Sequence, residues 1–220
     1  MLSKKANIIG LLCSDGNYRE YVSRYIEFDK KRNKYYNRVQ NKRIMEFANT
    51  NILLLQKFQE LLNFVYGYKP NIIFSNNRTY RVCIVKKYVI DDILRYVVLG
   101  NNKWYVPKFV MEGNDAVKLG FIQGYFDGDG SIDLNQGKYT RVRFGSINLN
   151  GLKQLKKILE DLKMECSLNG PYKRIGKKDA YEILLKRKGT ERFINLIQSS
   201  HSKKKSIIQS VTEKAFCRDR

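Results

Sequence analysis

The sequence holds one histidine, one tryptophan, three prolines and four cysteines among its 220 residues. A single histidine excludes hydrolytic metal centres that draw two or three imidazoles from one chain. Cys13, Cys83, Cys166 and Cys217 stand far apart with no Cys-x-x-Cys pair. Neither a zinc ribbon nor a disulfide framework is indicated, and the cysteines read as reduced, mostly packing residues. No apolar run approaches the roughly 18 residues of a membrane span, and the opening MLSKKANIIGLL lacks a small-residue cleavage site after its short apolar stretch. A soluble, intracellular protein is the expectation. Negative charge is scarce too: 21 acidic residues face 42 basic ones, giving a net charge of +21 and a pI near 9.8. That excess goes far beyond what solubility requires and implies a polyanionic partner.

Two short segments stand out, IIGLLCSDG at 8–16 and IQGYFDGDG at 122–130. They share the pattern apolar–x–Gly–apolar–apolar–x–small–Asp–Gly and mark an internal duplication. On helices, Gly10 and Ser14 fall on one face, as do Gly124 and Gly128. Two such faces can pack backbone against backbone, while Leu11, Leu12, Tyr125 and Phe126 anchor each helix to its own half. Gly16 and Gly130 suit a helix stop, which leaves Asp15 and Asp129 in the last turns. There the helix dipole opposes a carboxylate by roughly 0.3–1 kcal/mol, and a second carboxylate across the interface adds to that. A bound divalent cation relieves both costs. One Asp-Gly at a helix end is ordinarily just a turn; two at corresponding places in a basic duplicated chain point to a shared acidic site.

Periodicity extends the duplication to the remaining elements. In the first half, strands are expected at about 18–28 and 44–48, separated by a basic loop over 29–43; a helix follows at about 52–66, a hairpin at 72–86 and a short helix at 89–98. The second half repeats the order, with strands near 131–135 and 140–146, a helix near 149–162, strands near 168–174 and 180–186, and a helix near 190–199. The register is set by FANTN at 47–51 against FGSIN at 144–148, which lays Leu55, Phe58, Leu62 and Val65 over Leu152, Leu155, Leu159 and Leu162. Asp15 precedes Asn51 by 36 residues and Asp129 precedes Asn148 by 19, so the first half carries about 17 extra residues in its first hairpin. Residues 99–114, rich in Gly, Asn and Pro, read as a linker between a first repeat (1–98) and a second (115–220). SKKKSIIQSVTEKAF near the end reads as a further helix.

Together these motifs resemble the single-chain, two-repeat LAGLIDADG homing endonucleases, over nearly the whole length. Phe-Asp-Gly-Asp-Gly-Ser at 126–131 is the more specific copy. The resemblance implies an α+β fold of two pseudo-symmetric α-β-β-α-β-β-α repeats, whose motif helices pack along a pseudo-two-fold axis and whose saddle-shaped antiparallel sheets straddle duplex DNA. It implies a monomer that makes metal-dependent double-strand breaks at a long asymmetric site, with Mg²⁺ as cofactor and Mn²⁺ or Ca²⁺ able to occupy the same place. Asp15 and Asp129 map to the metal-binding catalytic positions, with the neighbouring Ser14 and Gly128 at the same metal sites. The earlier acidic position of the motif is Asp127 in one copy and Cys13 in the other. It does not bind metal in the family, so activity should survive the departure.

Phosphodiester hydrolysis needs a nucleophilic water and charge relief at phosphorus and at the leaving oxygen, which metals on carboxylates supply. Asn49 and Ser146, ending the second strand of each half, are candidates for positioning that water, and Lys103 and Lys204 for the basic residue of each site. For DNA contact, Val142 and Phe144 alternate with Arg141 and Arg143, which turns two arginines away from the core. The 29–43 segment supplies Lys30, Lys31, Arg32, Lys34, Tyr35, Arg38, Lys42 and Arg43; Lys173, Arg174, Lys177 and Lys178 form its second-half counterpart, and Arg81 and Lys186 complete the set. Tyr66-Gly67-Tyr68 lacks the second half of a GIY-YIG motif, and Asp161-x-Lys163 falls on a helix, unlike a restriction-type core. Two rival readings share the scaffold: a maturase that binds its host intron RNA, and a nuclease-inactive DNA-binding protein. No splice-junction residues flank the chain, so an intron-encoded origin is expected over an embedded one.

Overall fold

A computed structural model describes all residues except 76–77, 101–102, 136–138 and 217–220. Helix α1 (Leu2–Asp15) runs directly into β1 (Gly16–Asp29), which pairs with β2 (Lys34–Asn49). Helix α2 (Ile52–Tyr66) crosses back, β3 (Ile72–Ser75) and β4 (Thr79–Ile84) complete the sheet, and α3 (Lys87–Leu94) ends the first half. After the short α4 (Lys108–Met111), the same order recurs as α5 (Asp115–Asp129), β5 (Gly130–Asn135), β6 (Tyr139–Ser146), α6 (Leu149–Asp161), β7 (Cys166–Arg174), β8 (Lys177–Leu185) and α7 (Arg187–Leu196), with α8 (Ser202–Phe216) appended. The two antiparallel sheets have matching orders, β1-β2-β4-β3 and β5-β6-β8-β7. This is the expected α+β architecture of two α-β-β-α-β-β-α repeats.

The proposed register holds in both strands and helices. Gly16 sits opposite Phe47 and Gly130 opposite Phe144, so each motif leads into its sheet identically. Asn51 caps α2 by accepting from the Leu54 N–H, and Asn148 caps α6 by accepting from the Gly151 N–H. Leu55, Phe58 and Leu62 are fully buried, as are Leu152, Leu155 and Leu159. Gly67, at φ 62°, ends α2 in the left-handed conformation that glycine adopts without strain. In the sheets, Met45, Phe47, Val82 and Ile84 face the helices in one half, and Val142, Phe144, Ile183 and Leu185 in the other. Residues between them point to the open faces.

The halves meet where α1 lies along α5. A methyl group at Gly10 would overlap the Phe121 carbonyl, and one at Gly124 would overlap the Asn7 carbonyl; Gly128 has the same relation to the Ser14 side chain. The contact reaches one turn further than the motifs suggest, because a methyl at Gly120 would strike the Ser3 carbonyl. Residues Ala6 to Cys13 are all buried, as expected of a helix enclosed by its own half on one side and its twin on the other.

Several expectations are corrected. The basic segment 29–43 is mostly strand: β2 begins at Lys34 and pairs with β1 residue by residue from Asp29 to Gly16. Only residues 30–33 turn, with the Lys31 and Arg32 N–H groups donating to Asp29 Oδ1 and Asn33 at φ 51°. Continuous cross-strand bonding and the strand preference of Tyr35, Tyr36 and Val39 outweigh the density of charge. Helix α3 starts two residues earlier than expected and stops at Leu94, and α7 spans 187–196 rather than 190–199. The expected linker is a packed strap, with Trp104, Val106 and Val110 buried and Trp104 against Tyr125 at 4.8 Å between ring centroids. Among the described residues no helix is long and apolar enough to cross a membrane.

Candidate active site

Asp15 and Asp129 end the two central helices, and both line one cleft of about 650 Å³ with Ser14, Trp104, Ser146, Tyr181 and Glu182. They are close: a methyl at Gly128, the residue before Asp129, would lie 3.0 Å from Asp15 Oδ2. Asp15 Oδ2 accepts from Asn49 Nδ2 at 2.9 Å. Burial raises the Asp15 carboxyl above the usual range, opposed by the Asn49 bond and the Lys204 charge. Asp129 opens to solvent on one side, yet the protein crowding it and then the Asp15 charge push its pKa up to about 7, with Lys204 acting in the opposite sense.

Lys204 is the cation of this site. Its Nζ donates to the carbonyls of Phe126, Asp127 and Gly128 at 2.5, 2.9 and 3.0 Å, satisfying the last turn of α5 where a positive charge also suits the helix dipole. Burial lowers its pKa to about 8, and the Asp127, Asp15 and Asp129 charges limit the fall. Asp127 is itself buried, accepting from Ser199 Oγ at 2.5 Å and the Ser200 N–H at 3.0 Å. It therefore ties down the chain that leads into α8 and delivers Lys204. The counterpart Cys13 is a buried thiol whose pKa burial drives upward.

A LAGLIDADG-like domain model matches residues 116–198. The solved structure of mesophilic variants of the homing endonuclease I-DmoI is similar with a TM-score of 0.62, at 18% identity over 91% of this chain and 93% of that one. I-LtrWI, a LAGLIDADG homing endonuclease bound to target DNA, gives 0.61 at 13% identity, covering 99% of this chain and 92% of its own. The chain has the two-repeat LAGLIDADG fold. I-DmoI in complex with DNA and Mn gives a TM-score of 0.59 at 18% identity, over 91% of this chain and 98% of that one. Among curated proteins, the chain is 22% identical over 197 residues to the ribonucleoside-diphosphate reductase NrdEB subunit alpha of Bacillus subtilis (strain 168) and to its counterpart in Bacillus phage SPbeta. The match takes in 87% of this chain and 17% of each relative, so the chain spans about a sixth of the curated relatives' length.

On this LAGLIDADG scaffold the remaining candidates separate. Asn49 and Ser146 hold equivalent places: each side-chain oxygen accepts from the N–H two residues on, Asn51 and Asn148 respectively. Asn49 reaches its carboxylate, whereas Ser146 lines the cleft beside Tyr125. The Ser14 hydroxyl donates to the Leu11 carbonyl at 2.7 Å, and the Gly128 carbonyl already accepts from Lys204. Lys103 is exposed, and no contact joins it to either aspartate among the described residues. The reason lies in matching tethers: Asn148 donates to the Trp104 carbonyl and Asn51 to Ser202 Oγ. Two residues past its tether the strap buries Val106, whereas Lys204, two residues past Ser202, reaches the last turn of α5.

Of the DNA-contact candidates, Lys30, Lys31 and Arg32 are exposed in the first hairpin turn, and Lys34, Arg38 and Lys42 alternate onto its open face. Two of this group point elsewhere. Arg43 lies on the helix side, held by Tyr18, Asp91 of α3 and Glu20, and Tyr35 stacks with Phe28 on the same outer side. Odd positions of β2 belong with Met45 and Phe47, a parity hidden when the segment reads as a loop. Arg81, Arg141 and Arg143 stand on the open faces of the sheets, and Lys173, Lys177 and Lys178 are exposed about the β7–β8 turn. Lys186 is exposed where α7 begins. The Arg174 side chain lies outside the described residues.

Proposed function

We propose that this protein is a site-specific DNA endonuclease, acting as a monomer, that breaks both strands of a long asymmetric duplex by divalent-metal-dependent hydrolysis. Mg²⁺ is the proposed ion, and the coding frame is proposed to belong to a mobile intron. The reading is carried by one observation: two carboxylates from two repeats meet at helix C-termini in an open cleft, where burial and then the Asp15 charge hold Asp129 near pKa 7. The donor chemistry fits, since Mg²⁺ typically takes one or two carboxylates and fills its remaining positions with water and phosphate oxygens. Bound between Asp15 and Asp129, the metal would supply Lewis-acid activation of water and charge relief on the phosphate. Asn49 fixes the orientation of Asp15 and keeps it acceptor-rich on its free oxygen. The Lys204 charge acts on both carboxylates and can steady the negative charge that develops on the phosphate oxygens. The relatives described with DNA, and with Mn, support the same reading.

The test is digestion of a large randomised duplex library with Mg²⁺ at pH 8, followed by sequencing of the ends. Wild type should yield double-strand breaks at one family of sequences, and Asp15→Asn and Asp129→Asn should each abolish them. Cleavage surviving in both variants would remove the acidic pair from the reaction.

A further inference from the structure

The open faces of the two sheets carry matching triads of opposite sign. In the first half, Glu46 accepts from Arg19 Nη2 at 3.2 Å and lies 3.8 Å from Arg81 Nη1. In the second, Arg143 donates to Asp133 at 2.9 Å and lies 3.7 Å from Glu182. The registers make these positions equivalent. Glu46 and Arg143 each precede the buried phenylalanine that faces the motif glycine; Arg19 and Asp133 each stand three residues beyond that glycine; Arg81 faces Ala48, and Glu182 faces Gly145. One half therefore presents two guanidinium groups around a carboxylate, and the other two carboxylates around a guanidinium. The Nε atoms of Arg81 and Arg143 are buried without a partner among the described residues, so the acids are what orient these arginines.

We propose that the two triads read base edges on either side of the cut, the first favouring guanine and the second favouring the amino groups of cytosine or adenine. This rests on the endonuclease reading above and adds its specificity. Along the strands each triad runs from Arg19 or Asp133, three residues beyond the motif glycine, to Arg81 or Glu182, one residue to the other side of its level, about 13 Å or about four base pairs. Carboxylates are repelled by phosphate, so Asp133 and Glu182 are suited to base edges, where they accept from exocyclic amines; arginine forks suit guanine O6 and N7. Partly exposed ion pairs of this kind add little to stability, so their substitution leaves the fold intact. A perfectly palindromic target is disfavoured by the inversion.

The same library digestion, read position by position for wild type, Arg81→Ala and Glu182→Ala, tests this, with melting curves confirming folded protein. Wild type should prefer guanine at one position and an amino-bearing base at its pseudo-symmetric mate. Glu182→Ala should relax the second preference about tenfold and spare the first, and Arg81→Ala should do the converse. Sharp selectivity elsewhere with both positions indifferent, or preferences unmoved by either substitution, would overturn the triad reading while leaving the nuclease intact. A library left uncut would overturn both.

Discussion

At pH 8 without divalent ions, Asp129 carries a charge opposed by burial, by the Asp15 carboxylate and by its place at a helix C-terminus. Its folded pKa, about 7, stands above the ordinary value of 3.8, so the folded state binds the proton more tightly. Stability should therefore fall as pH rises from about 4 to 7 and stay reduced above that window. Asp129→Asn removes the penalty. It should raise Tm at pH 8 by about 2–4 °C per kcal/mol relieved, the gain shrinking toward zero near pH 4, as measured by thermal melts in chelator; an equal gain at both pH values would refute the linkage. Lys204→Ala should slow cleavage about 10²–10³-fold, the loss typical of one charge-stabilising donor, while Lys103→Ala should change it by less than about threefold, the range of surface effects. The meeting of Asp15, Asp129 and Asn49 is legible in the sequence because a repeated motif and its register carry them to one place. The unequal fates of Lys103 and Lys204 are not, since they depend on how two tethered chain segments pass the caps of the opposite repeat. Nor is the anchoring role of Asp127, whose partners Ser199 and Ser200 lie some 70 residues away along the chain.

Glycine sets the spacing of the paired helices α1 and α5. A methyl at Gly124 has no free volume, because it would meet the Asn7 carbonyl and the Leu11 nitrogen rather than a yielding side chain. Gly124→Ala should cost about 1–3 kcal/mol, the usual range for overpacking, in denaturant melts, and should also lower cleavage by separating the two carboxylates. Stability without activity loss would mean that the interface tolerates the shift. The helices and most strands are readable from apolar periodicity, and α2 keeps its expected span, which Asn51 and Gly67 bound chemically. Residues 34–43 of β2 escape this pattern for the opposite reason: their polar sequence offers no buried face, and only bonding to β1 defines them as strand. Arg43 follows from that correction. Arg43→Ala should destabilise the first half by loosening Asp91 of α3 from β2, and should leave the salt slope of DNA binding unchanged.

Over the whole molecule, a net charge of +21 spread along two sheets and a long ribbon implies binding dominated by phosphate contacts. With 6–10 such contacts, affinity should fall about 10³–10⁵-fold between 50 and 200 mM salt, with a linear log–log slope; a flat dependence would show that the basic surface does not track the backbone. The central claim is narrower than charge. It is that one acid from each repeat shares a divalent ion at the scissile phosphate. Anomalous diffraction from crystals of the protein with its selected DNA and Mn²⁺ measures this directly. Density between Asp15 and Asp129 in wild type, absent or displaced in Asp129→Asn, is the predicted result; Mn²⁺ bound to the complex at another place, with the aspartates bare, would contradict it.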